Sequence, residues 1–409
     1  MKKIVVLGTL DTKGRQLMHL KERIEAQGHK AIVIDLSMGK IASFKGDFTP
    51  CEILSLSEKG IEEFRNKEGL SELKKIMAIK AGDKVMELLS KGGVDGIVAL
   101  GGTTMSILAS QVMQRLPYGI PKVLGTTAAQ PAYVKEYFDA SDITVMQLLI
   151  EVGGENDLVY HAVEQVAGAV SGMVDESRHY KSLLLAPSAV AITELNFSQN
   201  CARSVELLLE EKGYQVFSFH AQGISDRVMD KMIAQGFFSG VIDIVPAGLV
   251  EEHFGGTRAA GMERMDAAIE RGIPLVLTPC CLNLTSAGPA SKNYEKFSSR
   301  PSHKVDQFRS YVRFNVEELR MVARLYSEKL NKATGPVKLL FPTKGWSGID
   351  KEGTVLHNPE EDRIFLDVLK KLLKVQIDIE EVDCNLEEPD FALKLVESFD
   401  SIYRSVYKK

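Results

Sequence analysis

What this chain lacks narrows its function first. Only five cysteines stand among its 409 residues, Cys51, Cys201, Cys280, Cys281 and Cys384, and no two form a C-x-x-C pair. Their number is odd, and the adjacent Cys280 and Cys281 are poorly placed to bridge each other. Both are expected as small buried side chains at a strand end, in a protein of a reducing, cytoplasmic compartment. No run of 18 apolar residues occurs, so no membrane-spanning helix is expected. A core strand is expected within three residues of Met1, so no signal peptide is expected. Net charge is −5 with both signs mixed along the chain, so the basic stripe of a nucleic-acid binder is missing.

Signature motifs are scarce as well. Neither the P-loop pattern G-x-x-x-x-G-K-[ST] nor the dinucleotide pattern G-x-G-x-x-G is present, and no H-E-x-x-H zinc pair occurs. In Gly345-Trp346-Ser347-Gly348-Ile349, isoleucine stands where a nucleophile elbow needs glycine, which disfavours a serine hydrolase.

What is present is a repeated arrangement. Apolar Ile4–Leu7 runs into Gly8-Thr9-Leu10-Asp11-Thr12-Lys13-Gly14, and a helical pattern follows with Leu17, Leu20 and Ile24 on one face. Strand-like Ile97–Leu100 leads into Gly101-Gly102-Thr103-Thr104, and Val123-Leu124 into Gly125-Thr126-Thr127. A strand turning directly into a helix gathers free N–H groups and the positive end of the helix dipole, which suits an anion. In an open parallel sheet all three loops fall on the rim where ligands bind. The expected contacts for a phosphate-bearing ligand are Thr9, Asp11, Thr12, Lys13, Gly101, Gly102, Thr103, Thr104, Thr126 and Thr127. Plain turn chemistry explains any one such loop. Lys13 is either a phosphate contact or a solvated lysine, and Asp11 either the helix N-cap or a ligand to Mg²⁺ through water.

Apolar residues make up 44% of the chain and charged residues 26%, the proportions of an ordinary globular protein, and the length suggests two domains. Strand patterns at 3–8, 30–36, 94–100, 121–125 and 142–146 alternate with helical ones near 14–27, 70–91, 104–116 and 156–173. The pattern restarts after Arg178, with strands at Ser182–Ala189, 215–219, 240–246, 274–278, 337–342 and 375–382. Helices are expected near 200–212, 225–236, 259–271, 315–332, 360–373 and 389–404. This rhythm predicts two doubly wound α/β domains with mainly parallel sheets, 1–178 and 179–409. The stretches 39–69 and 282–311 read as polar loops.

In the second half, Glu252 and His253 are candidates for acid–base work at a strand's carboxyl end, or polar residues on a surface loop. His303, within the long polar stretch, and Ser347 complete the candidate set.

Taken in order, Gly8–Gly14, the glycines at 101, Leu116–Lys122, Ser141-Asp142-Ile143, Gly172-Met173 and His253–Gly256 form a pattern. His303, Arg313, Gly345-x-Ser347-x-x-Asp350 and Glu388–Ala392 extend it over nearly the whole chain. It resembles an uncharacterised bacterial family related to the amino-terminal domain of the tomato mosaic virus resistance protein, an ATP-binding module that inhibits the viral replication protein. The resemblance implies two Rossmann-like domains, ATP with Mg²⁺ on the first domain's rim, and a homodimer. It also implies a choice between two roles. One is an enzyme acting on a small phosphorylated or carboxylated metabolite, with the second domain's candidates reaching the interdomain cleft. The other is a non-catalytic regulatory module that docks a protein partner. Here Thr103-Thr104-Met105-Ser106 replaces the family's Ser-Gly-Gly-Thr, and Ala128-Ala129-Gln130-Pro131 replaces Ala-Ser-Gly-Asp. Fewer glycines and one carboxylate less mean a looser phosphate cradle.

Overall fold

A computed structural model of the chain describes residues 1–39, 42, 44–130, 137–177 and 188–407. The chain forms two compact units, Met1–Leu183 and Leu184–Lys409. The junction expected at 178/179 lies outside the described residues.

In the first unit, β1 (Lys3–Gly8), β2 (Lys30–Asp35), β3 (Gly96–Gly101), β4 (Lys122–Thr126) and β5 (Ile143–Gln147) form one parallel sheet. Its order is β2-β1-β3-β4-β5. Period-two alternation splits the strand side chains between two cores. Ile4 and Val6 pack with Leu17, Leu20 and Ile24 of helix Leu10–Ala26 and with Val163, Val166 and Val170 of helix Asp157–Glu176. Val5 and Leu7 face the other way, toward Met77, Ala81 and Val85 of helix Leu70–Ser90 and Leu108 and Val112 of helix Thr103–Met113. Both faces of the sheet are therefore covered, and each buried Val, Leu or Ile adds about 1.5–3 kcal/mol.

The second unit carries a six-stranded parallel sheet in the order β7-β6-β8-β9-β13-β14. These strands are β6 (Ala189–Glu194), β7 (Gln215–His220), β8 (Gly240–Asp243), β9 (Leu275–Leu277), β13 (Val337–Pro342) and β14 (Asp378–Val382). Counted along the chain, its first five strands repeat the order of the first unit. Val190, Ile192, Ile242, Val276 and Leu340 meet Val205 and Leu209 of helix Gln199–Glu211 and Phe391, Leu395 and Phe399 of helix Pro389–Tyr407. Both units are thus doubly wound, Rossmann-like α/β folds.

Several expectations need correction. The stretch 39–69 is not all loop, because helices Pro50–Leu54 and Glu58–Glu68 cross it. Thr49 and Glu52 form a capping box with Pro50 in the first turn, and Ser57 caps the second helix. The stretch 282–311 holds most of a small antiparallel sheet, β10 (Leu284–Ser286), β12 (Ser310–Arg313) and β11 (Ser302–Lys304). Around 259–271 only Asp266–Arg271 is helical; a separate helix, Gly248–Phe254, precedes it. The strand expected at Ser182–Ala189 lies mostly outside the described residues, and the strand found begins at Ala189.

Candidate functional site

In the sheet order β2-β1-β3, the chain leaves β1 toward one side of the sheet and β3 toward the other. The crevice beyond the carboxyl ends of β1 and β3 is the topological switch point, where ligands of such sheets bind. Glycine ends both strands for steric reasons. A Cβ on Gly8 would lie 2.2 Å from Leu17, and one on Gly101 would lie 2.7 Å from the Met105 Cβ. Each following helix can therefore pack close against its strand.

The first loop tightens into a helical turn earlier than expected. Helix Leu10–Ala26 starts at Leu10 and breaks at Lys13, where φ is −130° and ψ is 23°. Thr9 is its N-cap, without a side-chain cap bond, so Asp11 is not the cap. Tertiary partners make such a cap unnecessary. The Leu10 N–H donates to Asp35 Oδ1 at 3.1 Å and the Asp11 N–H to Ser37 Oγ at 3.0 Å. The N–H groups of Thr12 and Lys13 donate to the Thr9 carbonyl at 3.2 and 2.9 Å. Thr9 and Thr12 pair through their hydroxyls at 2.7 Å. The first-turn amides expected to be free for an anion are therefore already in use. Asp11 Oδ1 is buried without a hydrogen-bond partner. Asp35 is raised above the usual carboxylate range by burial, against the lowering effect of its bonds to Ser37 and Leu10.

The second loop differs. Helix Thr103–Met113 has Gly102 as N-cap with no side-chain bond, and the Ser106 N–H donates to the Gly102 carbonyl at 3.0 Å. Among the described residues, no acceptor takes the N–H groups of Thr103, Thr104 or Met105. In the third loop, Thr126 Oγ1 bonds Ser106 Oγ at 2.6 Å and accepts the Ala128 N–H at 3.0 Å. Thr126 is fully buried and positions the loop from below.

Glu151 ties the rim together. The Lys13 Nζ stands 3.9 Å from its Oε2, and the Thr127 hydroxyl donates to its Oε1 at 3.2 Å. Thr127 Oγ1 is 3.7 Å from where a Gly102 Cβ would sit, and the Thr127 N–H donates to the Gly101 carbonyl at 3.3 Å. Gly102 and Thr127 thus adjoin, and Lys13 reaches the same rim through the Glu151 it shares with Thr127.

Beside the rim, at the end of β2, lies a cavity of about 530 Å³, lined in part by Asp35, Ser37, Met38, Phe44, Pro50 and Ile61. Its size is that of a small-molecule site. It adjoins the first loop, since Asp35 and Ser37 hold that loop's amides and Gly39 lies against Asp11. Neither the cavity nor Asp35 was among the expected site residues; an acidic residue closing a second strand was the available signal.

The candidates of the second unit are dispersed. Glu252 is exposed on helix Gly248–Phe254, and its carboxylate accepts the Gly261 N–H at 3.2 Å. Exposed His253 has its Nε2 3.0 Å from the Met321 sulfur. His303 sits in β11 opposite Tyr311. Ser347 is fully buried with an unpartnered hydroxyl, in the turn after β13. No hydrogen bond or ion pair joins any two of these four among the described residues.

Buried charge gathers on their neighbours instead. Glu251, completely enclosed, receives Arg258 through Nε at 3.1 Å and Nη2 at 2.5 Å, with the Ser286 N–H at 2.9 Å. Asn283 bridges Asp350 at 2.6 Å and Asp362 at 3.0 Å, and Arg313 binds Asp362 at 2.5 Å. Burial, and then the neighbouring Asp350, raises Asp362 to about 7. Among the described residues, no group of three or more His, Cys, Asp or Glu side chains is placed to hold a metal ion. Nor is any helix among them long and apolar enough to cross a membrane.

Comparison with known proteins follows this division. A model described as the N-terminal domain of an uncharacterised protein family (UPF0261) matches residues 2–179, and its C-terminal counterpart matches 187–403. A UPF0261 protein of Clostridium tetani is 32% identical over 399 residues, spanning 96% of this chain and 97% of its own. The ToMV resistance protein Tm-1(GCR237) of Solanum lycopersicum is 28% identical over 419 residues, covering 97% of this chain and 55% of the tomato protein. Among solved structures, the UDP-N-acetylglucosamine 2-epimerase from Rickettsia bellii aligns over 100% of both chains at 14% identity, with a TM-score of 0.22. That score is too low to carry an argument.

Proposed function

The chain belongs to the UPF0261 family, and we propose that its first unit binds a nucleotide of the ATP type at the β1/β3 crevice. One observation carries the reading. The amides of Thr103, Thr104 and Met105, unpartnered among the described residues, open beside Gly102 and Thr127, and Thr127 shares Glu151 with Lys13. Phosphate is the ligand group such a helix start favours. Lys13 supplies a mobile positive charge, and Gly102 lets a phosphate come close to the backbone. The adjoining cavity beside Asp35 has room for the base and sugar.

The residues present fit Mg²⁺ in a limited way. Asp11 Oδ1 is a buried carboxylate oxygen with no protein partner. Mg²⁺ is commonly held by one or two carboxylates with phosphate oxygens and water, and Asp11 would be the protein's contribution. Bound there, the ion would neutralise phosphate charge. With the first-turn amides of helix Leu10–Ala26 internally satisfied, anion binding falls to helix Thr103–Met113.

Titration calorimetry with ATP, with and without Mg²⁺, tests the reading. At a ligand concentration a hundred times the dissociation constant, binding adds about 2.7 kcal/mol to stability and raises the melting temperature measurably. Absence of both heat and shift would overturn it. Phosphate release measured on the same samples separates an ATP-consuming enzyme from a module that binds without turnover.

A further inference from the structure

Asp35, the last residue of β2, uses only half of its carboxylate. Its Oδ1 accepts the Leu10 N–H at 3.1 Å, the Ser37 N–H at 2.9 Å and the Ser37 hydroxyl. Three donors on one oxygen fix the rotation of the group, and Oδ2 accepts from none of the described residues. The backbone is fixed as well. The Asp35 N–H donates to the Phe48 carbonyl at 2.9 Å, and the Leu36 N–H donates to the Gly8 carbonyl at 2.8 Å. Asp35 lines the cavity of about 530 Å³ beside the rim, so Oδ2 is the acceptor it offers there. The charged neighbour that acts on it is another acid, Asp11, and burial works against its charge. An enclosed carboxylate oxygen without a donor has lost its water, which favours a ligand that brings O–H or N–H groups.

A nucleotide carries such groups on its sugar and, for adenine, on its base, whereas ionised phosphates carry none. Position chooses between sugar and base. Asp35 pairs with Gly8, and Leu7 pairs with Ala99, so Asp35 stands level with the end of β3. The two strands flank β1, which sets their ends two strand spacings, about 10 Å, apart. With phosphate on the amides of Thr103, Thr104 and Met105, the sugar is the next part of the ligand and spans that gap. The base then continues into the cavity, where Met38, Phe44, Pro50 and Ile61 supply apolar walls.

We propose that Asp35 Oδ2 accepts the vicinal hydroxyls of a ribose, so that the site selects ribonucleotides over nucleotides lacking them. The proposal rests on nucleotide binding at the β1/β3 crevice and names the residue that sets its sugar specificity. The chain has no G-x-G-x-x-G fingerprint, and its open amides follow β3 rather than β1. Sugar recognition at β2 therefore stands on the uncommitted oxygen of Asp35 and on the cavity it lines. A site built to receive hydroxyl protons rejects a sugar without them, because its buried acceptor is left unpaired. Ser37 acts as a positioning residue, since its N–H and hydroxyl hold Oδ1 and so aim Oδ2.

Titration calorimetry on the full chain with ATP, 2′,3′-dideoxy-ATP and inosine triphosphate, each with Mg²⁺, provides the test. Removal of both hydroxyls is expected to weaken binding about ten- to a hundredfold, the worth of hydrogen bonding to a charged acceptor. Inosine triphosphate keeps the ribose but lacks the base amino group, and should bind nearly as tightly as ATP. Asp35→Asn keeps an oxygen for Leu10 and Ser37 while turning Oδ2 into an amide donor. In that variant, checked for native circular dichroism, the affinities for ATP and its dideoxy analogue should draw together. Equal affinity of the native protein for these two ligands would overturn the proposal and leave nucleotide binding standing. So would a ribose preference unchanged in folded Asp35→Asn. Absence of heat with ATP itself would overturn nucleotide binding at the crevice, and this inference with it.

Discussion

The Asp35 carboxylate, at the end of β2, accepts the Leu10 N–H at 3.1 Å and so closes the first helix from a neighbouring strand. The same oxygen takes the Ser37 N–H at 2.9 Å, and one carboxylate thereby fixes the backbone at both Leu10 and Ser37. Asp35→Ala strands a buried N–H and is expected to cost about 1–3 kcal/mol in urea unfolding. Asp35→Asn keeps an acceptor at that position and should cost less. Equal losses in the two variants would mean that the carboxylate's charge or second oxygen, not a single acceptor, matters there.

Lys13 and Glu151 set the charge of the rim. Their 3.9 Å separation and the 79% exposure of Glu151 make the pair weak, about 0–1 kcal/mol at most. A phosphate arriving beside Lys13 meets Glu151 as a like charge. Glu151→Gln should therefore tighten ATP binding several-fold, and Lys13→Ala should weaken it, while melting temperatures stay almost unchanged. Calorimetry at low and high salt checks both, since the differences should shrink as salt rises. Opposite signs would remove Lys13 from the phosphate contact.

Adjacent glycines at the end of β3 separate packing from binding. A methyl at Gly101 would lie 2.7 Å from the Met105 Cβ, whereas one at Gly102 has only Thr127 Oγ1 nearby, at 3.7 Å. Gly101→Ala should thus cost about 1–3 kcal/mol of stability through overpacking. Gly102→Ala should fold normally yet weaken ATP binding, because its methyl enters the space a phosphate would use. Unchanged affinity in Gly102→Ala would place the phosphate elsewhere.

Parallel strands were legible in the sequence because burial on both faces makes them continuous apolar runs, as Ile4–Leu7 and Ile97–Leu100 show. Helix Glu58–Glu68 was not, since Ile61 is its only buried residue and one apolar position makes no periodic stripe. The convergence of three loops at the rim could be expected from their shared place at strand ends. Use of the first loop's amides by Asp35 and Ser37 could not, because it depends on how β2 lies beside β1. The burial of Glu251 and Arg258 could not be read from the sequence for the same reason. Their burial depends on Ser286, 35 residues further along.

Asp362 predicts how stability varies with pH. Burial first, and then the nearby Asp350, raises it from 3.8 to about 7, against the lowering effect of Arg313 and Asn283. Glu361 shares Arg313 at 2.9 Å, and the His357 Nδ1 stands 3.6 Å from Asp350, so these titratable groups also face the site. Between roughly pH 4 and pH 7 the folded chain keeps a proton on Asp362 that the unfolded chain has lost. Its contribution is complete below about pH 4 and fades as pH rises through about 7. Asp362→Asn cannot ionise, yet it still offers an oxygen to Arg313 and Asn283. The stability of the native protein relative to this variant should therefore fall across that window, on the order of a few kcal/mol at most. Asp230, raised to about 6 by burial, adds a slope of the same sign but is common to both proteins and cancels in the difference. Urea unfolding of both proteins at pH 4.5, 6 and 7.5 supplies the comparison, values chosen to bracket the shift. Parallel curves would show that Asp362 is ionised throughout, with Arg313 compensating its charge.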